Sequence, residues 1–486
     1  MASSCLKAQT HMYKVIPIQL AGTVQAAEKI HVRAVHGRFA RWRWAFVWLT
    51  QILFYGLPWW VWHGRQAVLF DVEARRFFLF DAVLFPQDLI YLAGLLVVSA
   101  LLLFFVTAVA GRMWCGFACP QSVYTNIFIW IETQFEGSSQ NRKRLDASAW
   151  SVEKIGRRGG KHLAWLTLSL WTGLTFVGYF TPIQALGADV LALTVGAWSG
   201  FWIVFYGLLT YLNAGLVREK VCLHMCPYGR FQGSLMDDRT LNVAYDFTRG
   251  EPRGKRQNKC PSDLDANLTA QASGDCIDCT LCVQVCPTGI DIRQGLQAAC
   301  IGCGLCIDAC NQVMDKIRTP RGLIRLASLS ELSGEDATQK MWQKIFRPRV
   351  VVYAALLTVC VGALTWAFLQ RPEIRMNIMR DRFVMSRWVE DGAVENVYRL
   401  QLMNASDRRQ TVQIGVSSDL QAQISGPVMF DMEPAQAMTL PMTVRVANTM
   451  TASHRGQIVH IRFNAFDPQH PQAHEVQENS TFVMTK

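Results

Sequence analysis

Charge is scarce in this chain. Asp, Glu, Lys and Arg make up 17% of its 486 residues, against 51% hydrophobic residues and 16 Trp. A soluble protein carries about a quarter charged residues, so this balance excludes a purely water-soluble globule and points to a polytopic membrane protein with soluble parts. No cysteine follows Cys360, and no secretory signal peptide precedes the first apolar stretch. The chain is therefore expected to start as a cytoplasmic tail and to end, cysteine-free, on an oxidising side. No continuous basic stripe exists despite a net charge of +11. Lys and Arg gather beside apolar segments instead, which argues against nucleic acid as a partner and for membrane orientation.

Five segments are long and apolar enough to cross a bilayer: residues 44–62, 89–110, 163–186, 198–217 and 350–369. None carries a charge in its interior, as the cost of burying charge in lipid demands. Between the second and third lie Arg112, Arg142, Lys143, Arg144, Lys154, Arg157, Arg158 and Lys161, whereas residues 187–197 contain no Lys or Arg. The positive-inside rule then places residues 1–43 and 218–349 in the cytoplasm and residues 370–486 in the periplasm of a bacterial inner membrane. Residues 44–217 form a block of four spans, and residues 350–369 the fifth. The tail beyond residue 370 alternates apolar and polar residues at 397–403, 411–416, 442–446 and 457–463, with turn residues between. That spacing predicts a C-terminal immunoglobulin-like β-sandwich.

Cysteine is abundant where it occurs. Cys276, Cys279, Cys282 and Cys286-Pro287 are followed by Cys300, Cys303, Cys306 and Cys310. This is the two-cluster ferredoxin run given twice. Three thiols of each tight loop reach one 4Fe–4S cluster, and the fourth serves the other. Cys276, Cys279, Cys282 and Cys310 are thus assigned to one cluster, and Cys300, Cys303, Cys306 and Cys286 to the second. Two zinc knuckles are the alternative, but these use a longer spacer. Asn311 stands where a proline usually follows the last cysteine, which removes no ligand. Gly289, Gly302 and Gly304 suit a close approach of backbone amides to cluster sulfurs.

Two further pairs, Cys115/Cys119-Pro120 and Cys222/Cys226-Pro227, each follow an apolar span. A duplicated helical hairpin would bring them together. They are structural cysteines, ligands of a third cluster, or a thiolate site that binds and reduces a soft metal. Cu(I) prefers thiolate and thioether ligands, and His224 and Met225 lie inside the second pair. Four thiols beside an electron-supplying module favour the third reading.

With these elements the chain resembles the CcoG family, also called FixG or RdxA, accessory proteins of cytochrome cbb3-type oxidases. The resemblance rests on residues 64–71 (GRQAVLFD), the two Cys-x3-Cys-Pro elements, residues 274–292 and the β-rich tail, and covers about residues 35–486. It implies a cupric reductase that supplies Cu(I) for oxidase assembly, with copper as substrate at Cys115, Cys119, Cys222 and Cys226. Oxidase assembly proteins or copper chaperones are then the expected partners; the electron donor is unassigned, and a homo-oligomer is compatible. NapH- and NosR-like membrane ferredoxins share these elements, so a quinol-linked relay to a partner reductase is one rival. A non-enzymatic assembly scaffold is the other.

Weaker signals remain. Cys5, Cys260 and Cys360 stand outside every motif. Ten of the 17 Met follow Gln370, among them Met376, Met379 and Met385, as do His454, His460, His470 and His474. They form either a copper-transfer surface or, for Met, ordinary core filler. Arg65, Arg75 and Arg76 would frame a quinol head group or act as solvated interface anchors. Asn404-Ala-Ser406 and Asn479-Ser-Thr481 match a glycosylation sequon, a pattern frequent by chance.

Overall fold

A computed structural model of the chain describes residues 30–254, 274–333, 346–380, 386–389, 392–419, 421–447, 456–469 and 475–484. The tail before residue 30, Cys5, Cys260, Met385, His454, His470 and His474 lie outside the described residues. The chain divides into two compact units, residues 1–56, 96–177 and 189–360, and residues 57–95, 178–188 and 361–486.

Among the described residues three helices are long and apolar enough to cross a membrane: Pro86–Ala110, Ala197–Val217 and Pro348–Leu369. At about 1.5 Å per residue, each of these 21 to 25 residue helices matches a bilayer core about 30 Å thick. The other two expected segments, residues 44–62 and 163–186, are not among these helices, so three of the five expected spans are found among the described residues. The helix Arg38–Gly56 stops before Pro58, and the chain turns through Leu57–Trp59 into a hairpin of Val61–Trp62 with Arg65–Gln66. Proline lacks the amide hydrogen that would continue the helix, and it biases Leu57 away from helical geometry. Likewise Val152–Val177 ends ahead of Pro182, and a separate helix, Ile183–Ala192, follows.

In the first unit Pro120–Glu136 and Val152–Val177 pack around Phe128, Ile131, Trp165 and Ala214. The Trp165 indole N–H donates to the Phe128 carbonyl at 3.1 Å. Gly173 lets its helix approach Ala197–Thr210 closely, since a Cβ there would stand 2.2 Å from the Ile203 oxygen. Small residues at such a crossing replace the hydrophobic drive that lipid removes. Two of the basic residues that mark orientation in the sequence, Arg142 and Lys161, are buried in ion pairs. Arg142 and Arg218 meet Glu132 at 3.4 and 2.7 Å, and Lys161 meets Glu136 at 2.6 Å.

The ferredoxin-like part pairs Asn242–Tyr245 antiparallel with Ile324–Ala327 and adds the helices Leu281–Gln284 and Leu305–Lys316. Val243, Tyr245, Ile292, Ile307, Met314 and Leu323 form its core.

The second unit contains the predicted sandwich. One sheet runs Gln423–Ser425, Ala437–Val446, Val394–Asn404, Ile374–Arg380, with Arg387–Trp388 on Val394–Asn404. The other runs Met429–Met432, Gln410–Ser417, Ile458–Phe466, Val476–Val483. Every pairing is antiparallel, and alternate residues such as Tyr398, Leu400, Leu402, Val412 and Phe463 fill the core between the sheets. Met376, Met432 and Met442 belong to that core, which corrects the idea of a methionine transfer surface for these positions. Asn404 is also buried. Its amide donates to the carbonyls of Arg408 and Glu433, so this sequon is a structural bridge with no free acceptor.

Candidate metal centres

The two ferredoxin loops share one backbone. Positive φ falls at Asp278 and Thr280 in Cys276-Ile-Asp-Cys-Thr-Leu-Cys282, and at Gly302 and Gly304 in Cys300-Ile-Gly-Cys-Gly-Leu-Cys306. The left-handed residues fold each loop tightly enough to turn its three thiols inward. Gly302 N–H points at Cys300 Sγ at 3.4 Å, the kind of amide contact that serves a sulfur ligand.

Two hollows result. One is lined by Cys276, Cys279, Cys282 and Cys310 together with Tyr245 and Arg293. The second is lined by Cys286, Cys300, Cys303 and Cys306, and Cys282 lines it as well. Each hollow therefore gathers the four cysteines grouped by the spacing, with Cys282 shared between them. The first site is the outer one, because Cys279 is exposed; at the second, the inner site, Cys303 is only 7% exposed. Burial pushes the thiols of Cys300 and Cys310 up to about 12 and that of Cys282 to about 11. Such thiols stay protonated unless a cationic centre displaces the proton.

The donor set fits 4Fe–4S clusters better than single ions. Four thiolates about 2.3 Å from one zinc ion stand roughly 4 Å from one another. Among the described residues no three cysteine sulfurs lie within 4.8 Å of each other. A cubane separates its thiolates more widely, and each hollow is walled by at least four of them.

Cys115 lies on the short helix Met113–Phe117, and Cys119 caps Pro120–Glu136. Cys222 lies in the π-helical turn Val221–Met225, and Cys226 caps Pro227–Leu235. In both repeats the second cysteine precedes a proline at the first helical position, where its missing amide costs nothing. The structure brings the pairs together. Cys115 feels the charge of Cys119 and Cys222, and Cys119 that of Cys226. Burial, reinforced by these neighbouring thiols, raises Cys115 to about 12 and Cys222 to about 11, with Arg112 opposing. The Cys115 thiol donates to Oε1 of fully buried Gln232 at 3.7 Å.

Arg112, read from the sequence only as an orientation marker, and Gly116, which that reading passed over, join this set to the inner loop. Arg112 donates to the carbonyls of Ala298, Cys300 (3.3 Å) and Gly229 (2.9 Å), spanning both cysteine groups. Gly116 lies against the Cys303 backbone. Cys360 sits in the helix Pro348–Leu369. Arg65 lies over the Phe78 ring and donates to the Phe80 carbonyl, supporting a strand meander rather than standing free at an interface. His63, Asp81 and Asp407 approach within 3.0 to 3.4 Å, but Trp62 and Arg65 already serve the carboxylates, so the trio reads as a surface latch.

Three family models match. A 4Fe–4S dicluster domain covers residues 217–329, a 4Fe–4S binding domain residues 92–135, and the IG-like fold at the C-terminal end of FixG residues 364–485. Nitrogen fixation protein FixG of Rhizobium meliloti is 36% identical over 80% of this chain and 79% of its own. Protein RdxA of Cereibacter sphaeroides is 39% identical over 84% of this chain and 87% of its own. Ferredoxin-type protein NapH of Haemophilus influenzae is 24% identical over 39% of this chain and 65% of its own.

Proposed function

The chain belongs to the FixG/RdxA family of membrane-associated iron–sulfur electron-transfer proteins, and we propose that its reaction is reduction of Cu(II) to Cu(I) at Cys115, Cys119, Cys222 and Cys226. The observation that carries this reading is the meeting at Gly116, where the Cys115 turn packs directly on the Cys303 loop. Cys276, Cys279, Cys282 and Cys310 would hold the outer cluster, and Cys300, Cys303, Cys306 and Cys286 the inner. When bound, a cubane with four thiolate ligands supplies one-electron relay and offers no open coordination site.

The remaining roles fall to the chain itself. Arg112 ties the Cys300 loop to the Gly229 backbone, and Gln232 orients the Cys115 thiol. Thiolates favour Cu(I) over Cu(II), so the four-cysteine set both draws an electron onto copper and retains the product. Each turnover takes one electron from a low-potential one-electron donor, converts Cu(II) to Cu(I), and involves no bond to carbon, nitrogen or oxygen. In this reading the ferredoxin part faces the cytoplasm, the sandwich faces the periplasm of the inner membrane, five segments cross, and Cu(I) passes to chaperones or assembly factors of a cbb3-type oxidase.

A second reading has its own support. The match of residues 92–135, which include Cys115 and Cys119, to a 4Fe–4S binding domain favours a third cluster at Cys115, Cys119, Cys222 and Cys226. Anaerobic purification followed by iron, sulfide and copper analysis separates the two. Cupric reduction predicts about eight Fe per chain with copper bound in addition; about twelve Fe with no copper uptake establishes the third cluster instead.

A further inference from the structure

Arg43 is buried, 3% exposed, one turn into the helix Arg38–Gly56. The ferredoxin part holds that helix end in place. Ala40 N–H donates to Oδ2 of Asp308 at 2.8 Å, and Phe39 packs where a Cβ on Gly304 would stand 2.5 Å from its ring. Ala40 shares a buried cluster with Ile301, Cys303 and Leu305. The position of Arg43 beside the inner site is therefore set by packing on both sides.

Among the described residues no carboxylate pairs with its charge. The other buried cations of this unit have partners: Arg142 with Glu132, Lys161 with Glu136, Arg347 with Asp237, Arg293 with Asp291, and Lys154 with the Asp146 and Ser148 carbonyls. Among the described residues Arg43 has neither a carboxylate nor a carbonyl within bonding distance, and the acidic groups that feel it most are the thiols of Cys303 and Cys286. An unpaired buried guanidinium is strongly destabilising, so this position calls for an anion. A cubane on four thiolates is an anion, and reduction adds one more negative charge. Among the described residues the outer site has no such free cation: Arg293 at its wall is neutralised by Asp291 and Asp278, and nearby Arg253 pairs with Glu251.

We propose that Arg43 is the fixed counter-charge of the inner site, a positioning residue that holds the inner reduction potential above the outer one. This rests on the two-cluster reading of the eight ferredoxin cysteines. A fixed positive charge favours the more negative, reduced state, so an electron arriving at the exposed Cys279 side is drawn towards the Cys303 side, where Gly116 and Cys115 lie. No bond is made or broken and no proton is required. Arg112 adds a second cation at the Cys300 loop, but it is shared with Cys115 and Cys222 and bonded to three carbonyls.

The test uses the full-length, anaerobically purified protein and its Arg43→Gln and Arg43→Lys variants, with iron analysis and redox titration followed by electron paramagnetic resonance. Arg43→Gln is expected to lower one of two midpoint potentials and leave the other in place. The centre that moves should be the one perturbed by Cys303→Ser and untouched by Cys279→Ser. Arg43→Lys, which keeps the charge, should restore most of the shift. Should Arg43→Gln lose about half its iron, recovery of that iron in Arg43→Lys supports the same role. Unchanged potentials at full iron content overturn the proposal, as does an Arg43→Lys variant that behaves like Arg43→Gln. A parent protein without about eight Fe overturns the two-cluster reading itself, and the counter-charge with it.

Discussion

Gly116 lies so close to Cys303 that a Cβ on the glycine would stand 2.8 Å from the Cys303 Cα and 2.8 Å from the Ile301 oxygen. Both neighbours are backbone, so neither can swing aside. The contact joins a membrane-edge cysteine turn to a ferredoxin loop nearly two hundred residues later, and it defines where the two sets of thiols meet.

Gly116→Val tests that junction. Overpacking against rigid backbone costs about 1–3 kcal/mol, and here relief requires the turn and the loop to separate. The variant should keep about eight Fe yet reduce Cu(II) more slowly than the parent with the same reductant. Parental rates at full iron content would show that the contact is packing alone.

Glu132 answers half-buried Arg218 at 2.7 Å and buried Arg142 at 3.4 Å, and is itself 1% exposed. Glu132→Gln leaves both guanidinium groups uncompensated, and breaking a buried pair from one side costs about 3–5 kcal/mol. Thermal unfolding of the detergent-solubilised protein should occur well below the parental temperature. Because Arg218 precedes Cys222 by four residues, access of thiol reagents to Cys222 should rise in the same variant.

The thiol protonation states give a pH signature. Cys115 is raised from 9.0 to about 12 and Cys222 to about 11, chiefly by burial. At pH 8 their thiolate fractions are lower than those of ordinary cysteines by a factor of about 10² to 10³. Alkylation of these two residues in copper-free protein should be slow at pH 8 and accelerate about tenfold per pH unit up to pH 11. The unfolded chain sheds the same protons near pH 9 while the folded thiols keep theirs, so the unfolded state binds fewer protons above that point. Folded stability with these thiols free should decline as pH rises from about 9 to 12, and occupation by a metal should abolish the decline.

Much of this was legible because the chemistry is local. Ligands three residues apart fix a loop whatever lies around it, so Cys276 to Cys310 declared their two groups in advance. The strands of the sandwich were legible for the same reason, since residues such as Tyr398, Leu400 and Leu402 alternate within one segment. Positive φ at Asp278 and Thr280 was hidden, because only the second loop spends glycines on those positions. Arg43, Arg112, Gly116 and Gln232 carried no local signal, as each acts through a contact with a distant segment. A single buried arginine near an apolar run reads as an interface anchor until its neighbours are known. Arg142 and Lys161 stand in a basic stretch, yet their pairing with Glu132 and Glu136 was not visible in the sequence. The break after Gly56 was legible in Gly56 and Pro58, although the apolar segment was drawn on to Trp62 through the tryptophans beyond it.

The central claim is that Cys115, Cys119, Cys222 and Cys226 are where Cu(II) becomes Cu(I). The most direct measurement is Cu(I) formation, read with a Cu(I)-specific chelator, by the variant carrying Ser at all four positions. Parent and variant are fed electrons by the same artificial reductant and matched for iron and sulfide. The account predicts about eight Fe and an unchanged reduced spectrum in the variant, with Cu(II) reduction and Cu(I) retention both lost. A variant that reduces and retains copper as the parent does would contradict it.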